Sequence, residues 1–149
     1  MNLERYEYKM NKNFREYIFY SEGPGGYVKK VVQFSLESSG GIPYYNICFG
    51  DWTDKVQKVD DFDITNNGDR DKVLATVAVI ILEFSRHYPD TFIYLQGSTA
   101  SRTRLYRMGL TKLWKEISHS FDVFGILGDG RVERYRENIN YNAFMIHPK

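Results

Sequence analysis

Arg102, Arg104 and Arg107 follow a Gly-Ser-Thr turn at positions 97 to 99, and Lys112 and Lys115 come shortly after. No carboxylate lies between Asp90 and Glu116, so this stretch holds five positive charges in a chain whose formal net charge is +1. Guanidinium forks match phosphate and carboxylate geometry, and the unpaired amides at a helix start favour the same charge. The chemistry is therefore anion capture, with a phosphate on the amides after Gly97, gripped by Arg102, Arg104 and Arg107 and assisted by Ser98, Thr99 and Tyr106. Cations near a helix start oppose the macrodipole at about 0.3 to 1 kcal/mol each. A bound anion is the simplest reason to tolerate that.

Two features compete with this reading. At 100° per residue, Arg102 projects about 140 to 160° away from Arg104 and Arg107, so a regular helix cannot aim all three at one small ion. The stretch from Asp51 to Asp71 carries seven aspartates, and these offer a counter-charge from within the chain. The expected partner is RNA or a nucleotide; the alternative is a non-enzymatic interaction module docking an acidic protein chain. For a nuclease, Tyr106 and His119 would be the proton-transfer groups and the arginines would stabilise a phosphorane. Residue types alone assign no reaction.

Other chemistry is thin. Gly97-Ser98-Thr99 lacks the spacing of a P-loop or a dinucleotide fingerprint, so no cofactor is expected. His87, His119, His147 and the lone Cys48 have no metal-ligand spacing, and no metal is expected either. Ser98 is not in a nucleophile elbow. Asp60, Asp61 and Asp63 lack the EF-hand pattern.

The elements that must position these residues read as follows. Tyr6 to Met10, Phe14 to Tyr20, Val28 to Glu37 and Tyr44 to Phe49 suit strands, with Val28, Val32, Phe34, Leu36 and the stem of Lys30 sharing one face. The stretch 51 to 71 reads as a long surface connection, shortened by an element around Val56 to Val59 and closed by Asp69 as an N-cap. A helix from about Arg70 to Tyr88 presents Val73, Val77, Ile80, Ile81 and Phe84 on one side. Phe92 to Leu95 predicts a central strand covered on both faces. A helix to about Met108, an interruption at Gly109 and a second piece from Thr111 follow. Phe121 to Leu127, Val132 to Tyr135 and Tyr141 to Ile146 complete the strands. The sum is one α+β domain over 1–149, an antiparallel or mixed sheet of five to seven strands against two main helical regions.

Composition agrees with one ordinary domain of 149 residues. A single cysteine fits a reducing, cytoplasmic setting. The longest apolar run, Val73 to Leu82, is about half of what a membrane span needs, so no membrane partner is expected.

The blocks Asn66-Asn67-Gly68-Asp69-Arg70-Asp71-Lys72-Val73-Leu74-Ala75-Thr76-Val77 and Gly97-Ser98-Thr99-Ala100-Ser101-Arg102-Thr103-Arg104-Leu105-Tyr106-Arg107-Met108-Gly109 resemble those of a family of small bacterial proteins with no assigned activity. The resemblance implies that the two blocks form one structural unit. It implies no reaction and no ligand.

Overall fold

A computed structural model of the chain describes residues 3–53, 58–60 and 68–149. The strands are β1 (Lys9–Met10), β2 (Glu16–Gly23), β3 (Gly26–Ser39), β4 (Ile42–Thr53), β5 (Lys58–Asp60), β6 (Ile93–Leu95), β7 (Phe121–Ile126), β8 (Val132–Arg134) and β9 (Ala143–Pro148). The helices are α1 (Arg70–His87), α2 (Ala100–Lys112) and α3 (Trp114–Ser120). Eight strands form a path in the order β1-β2-β3-β4-β6-β9-β7-β8, and β5 adds a ninth on β4. Among the described residues only β4 and β6 pair in parallel; the other pairs are antiparallel. The α+β class and mixed sheet agree with the sequence, whereas the expected five to seven strands were too few. β1 and β8 lie within the segments Tyr6 to Met10 and Val132 to Tyr135 expected as strands, at two and three residues, whereas β5, three residues long, is too short for alternation to mark it. Of the element expected around Val56 to Val59, Val56 lies outside the described residues and Val59 belongs to β5.

Register explains the core. Lys30, Val32 and Phe34 of β3 stand opposite Asp51, Phe49 and Ile47 of β4, and Ile93 stands between Tyr45 on one side and Ile146 on the other. Because successive strand residues point to opposite faces, these form one layer, which α1 covers. Phe84 of α1 stacks on Phe34 with ring centroids 3.9 Å apart, and Val73, Val77, Ile80 and Ile81 are buried beside it. Each such side chain contributes about 1.5 to 3 kcal/mol of transfer free energy. Leu36, expected in this layer, is 53% exposed: residues 35 to 43, joined through the positive-φ pair Gly40-Gly41, extend past the helices as an exposed hairpin end.

Three further expectations change. α2 runs through Gly109 and breaks at Leu113 instead. A methyl group at Gly109 would meet Leu74 Cδ1 at 3.0 Å, so this glycine lies at the contact between α1 and α2 and does not end the helix. Asp69 occupies the N-cap position of α1, yet its side chain does not cap; Oδ2 accepts the hydroxyls of Tyr6 and Ser21, each at 2.5 Å. β6 is covered on one face only, since Ile93 and Leu95 are buried while Tyr94 on the other side is half-buried.

Candidate anion-binding surface

The sheet positions the turn that opens α2. β6 runs parallel to β4 with Ile93 beside Tyr45, so the chain leaves Leu95 toward the end of the sheet where β4 continues to Thr53. Gly97 then folds tightly onto the helix it precedes. Its N–H donates to Thr103 Oγ1 at 3.0 Å, and an added Cβ would lie 2.3 Å from Arg102 Cβ and 2.6 Å from the Thr103 amide nitrogen. Thr99 is the N-cap, with Oγ1 accepting from the Arg102 amide at 3.2 Å. Of the N–H groups after Gly97 expected to cradle a phosphate, that of Arg102 is therefore already used within the chain, as is the Gly97 N–H before them.

Side chains carry what remains of the site. α2 has no acidic residue in its first turn. Arg104 is exposed and makes no hydrogen bond or ion pair with any described residue. Arg107 is half-buried, and its Nη1 donates to the Ile139 carbonyl at 3.1 Å and to Asn140 Oδ1 at 3.4 Å. It thereby ties α2 to the loop between β8 and β9. Arg102 is half-buried beside Gly97, while Ser98 and Thr99 are exposed. Tyr106 is 7% exposed and faces inward, lining an apolar cavity of about 50 Å³ together with Leu74, Ala78, Leu110 and Ile146. His119, by contrast, is exposed in the last turn of α3.

Outward positions of α2 and α3 recur at helical spacing. Ser101, Arg104, Met108, Thr111, Lys112 and Lys115 are exposed along one side. Lys112 Nζ pairs with Asp71 at 2.5 Å on the surface. Thr111 Oγ1 meets Tyr135 OH at 2.5 Å, and burial raises the Tyr135 phenol above its ordinary range despite that hydrogen bond. Of the acidic stretch, Asp54, Asp61 and Asp63 lie outside the described residues. Asp51 pairs with Lys30 and Asp71 with Lys112.

One model of a family of unknown function, DUF6934, matches residues 2–149. The chain belongs to the DUF6934 family. No curated protein and no solved structure matches it. In this DUF6934 chain the two blocks singled out in the sequence meet. Leu74 packs on Gly109, and Asp71 pairs with Lys112, so the start of α1 braces the far end of the basic helix.

A second polar cluster was missed as a site in the sequence. Lys30 is 1% exposed and hydrogen-bonds Asp51, its cross-strand neighbour. Tyr6, Ser21 and Asp69 form a further hydrogen-bonded set at the start of α1. Tyr6 is pushed above the usual phenol range first by burial and then by the hydrogen bond to the Asp69 carboxylate. The available signal was a lysine in register with the apolar side of β3. Only the partner strand reveals that Asp51 answers it.

Proposed function

We propose that the outward side of α2 holds a phosphate-bearing partner, RNA in preference to a free nucleotide, with Arg104 and Arg107 as the principal grips. Arg102, Ser98 and Thr99 flank them at the helix start, and Tyr106 anchors the helix from inside. The observation that carries this is Arg104, an exposed guanidinium with no described partner, on a helix with no acidic residue in its first turn. With the Gly97 and Arg102 amides already occupied, contact runs through side chains and tracks a backbone rather than enclosing one ion. An extended polyanion suits that geometry better than a small metabolite.

Binding of single-stranded RNA, followed by fluorescence anisotropy across a salt series, tests the reading. Affinity should fall linearly in log salt, and Arg104→Ala should reduce the slope by about 0.7, the value for one phosphate no longer neutralised. No retention of RNA at low salt would sink it. A second reading has one observation in its favour. Met108, 49% exposed within the stripe, gives it an apolar centre suited to an acidic protein chain, and binding that Met108→Ala weakens at constant salt slope would favour that partner.

A further inference from the structure

Opposite the helices, the sheet has a second face with a continuous row across it. Tyr94 of β6 stands in register with Met145 of β9, Met145 with Phe124 of β7, and Phe124 with Arg134 of β8. Tyr44 of β4 extends the row, its ring 5.9 Å from that of Tyr94. Phe92 and His147 lie alongside with ring centroids 4.7 Å apart. Ile42, two residues from Tyr44 and on the same side, is 66% exposed, and Val132 beside Ile126 is 58% exposed. Side-chain hydrogen bonds and ring contacts of this row go to other members of the sheet or to Gln96, which accepts the Tyr94 hydroxyl at 2.9 Å. All three helices among the described residues serve the other face.

We infer that this helix-free face packs against the same face of a second copy, giving a symmetric dimer of two sheets with the helices outermost. Charge selects this occupant. On the described part of the face, Arg134 pairs with Asp122 at 3.3 Å and lies over Phe124. Gln33 reaches Glu16 at 3.3 Å, and Lys29 lies over Trp52 at 5.0 Å. Lys9, Lys29 and Arg134 share this face with Glu16, Glu22, Glu37 and Asp122, so its charges nearly balance and it offers no electropositive track to a nucleic acid, which the opposite side of the molecule would attract instead. A near-neutral apolar band can meet its own image without like-charge conflict, as a two-fold interface requires.

Size is adequate. Eight strands about 4.8 Å apart, from two to fourteen residues long and averaging about six to seven, present roughly 700 Å² in projection, close to the ~800 Å² that one partner gives to a standard interface. Sheets packed face to face lie about 10 Å apart, a gap that Met145, Phe124 and Tyr94 would fill from both sides. Both copies of α2 would remain outward, leaving the proposed RNA surface free.

Light scattering after size exclusion tests this on the full chain. The expected mass is twice 17.5 kDa over a wide dilution series. Met145→Lys should weaken association at least about a hundredfold, since an ammonium from each copy would be buried without a partner, while Met108→Lys on α2 leaves it unchanged. If Met145→Lys fails to fold, Met145→Cys in a Cys48→Ser background should form an inter-chain disulfide under mild oxidation. A monomer at the highest concentration, or a dimer that neither variant alters nor cross-links, overturns the proposal. So does a monomer whose RNA affinity depends on Phe124.

Discussion

Replacing Gly97 by alanine tests how the start of α2 is built. The φ of Gly97 is not in the left-handed region, so the penalty is steric. The new Cβ would sit 2.3 Å from Arg102 Cβ, 2.6 Å from the Thr103 nitrogen and 2.7 Å from the Arg102 carbonyl carbon. The last two are backbone atoms, which no rotamer change can move. Overpacking of this kind costs about 1 to 3 kcal/mol. Opening the turn would also break the hydrogen bond from Gly97 N–H to Thr103 Oγ1, a further ~1 kcal/mol. Gly97→Ala should therefore destabilise by about 2 to 4 kcal/mol, a large part of the ~5 to 15 kcal/mol available to a domain. Urea unfolding followed by circular dichroism measures it. Gly128→Ala is the control, because its Cβ meets nothing nearer than Asn142 Nδ2 at 3.5 Å. A loss below about 0.5 kcal/mol for Gly97→Ala, at the level of ordinary surface changes, would refute the tight turn and with it the occupied amides at the helix start.

Three further outcomes are expected. Lys30→Met should cost about 3 to 5 kcal/mol by leaving Asp51 buried without its ion partner, and adding Asp51→Leu should recover most of that; urea midpoints that show no recovery would contradict the pairing. Gly109→Ala should be neutral to stabilising by up to ~1 kcal/mol, since alanine favours the helix and the group that must give way is the mobile end of Leu74 beside a cavity, and a marked fall in melting temperature would argue against it. Burial raises the phenols of Tyr6, Tyr8, Tyr17, Tyr94 and Tyr135, so the folded state holds these protons more tightly than the unfolded chain. Their contribution is present below about pH 10 and is lost as pH rises through the folded values. Urea midpoints should hold near neutral pH and drop on the alkaline side, less steeply in Tyr17→Phe, which removes a hydroxyl buried without a partner among the described residues.

Periodicity alone determined the long elements of this protein. Eighteen residues of α1 and the alternation of β3 and β4 repeat often enough for burial of one side to dominate. The arginine-rich stretch without carboxylates is likewise a property of the chain as written. Tertiary structure alone decided which of those residues face outward, because that depends on what lies across from them. Tyr106 turns into the cavity under α1, Arg107 is drawn to the Ile139 carbonyl thirty-two residues away, and Gly97 consumes its amide on Thr103. Strands of two or three residues exist only because a neighbour supplies their hydrogen bonds. The partnership of Lys30 with Asp51, and the row from Tyr94 to Arg134, follow from strand register, and register is fixed by packing between segments distant in the chain.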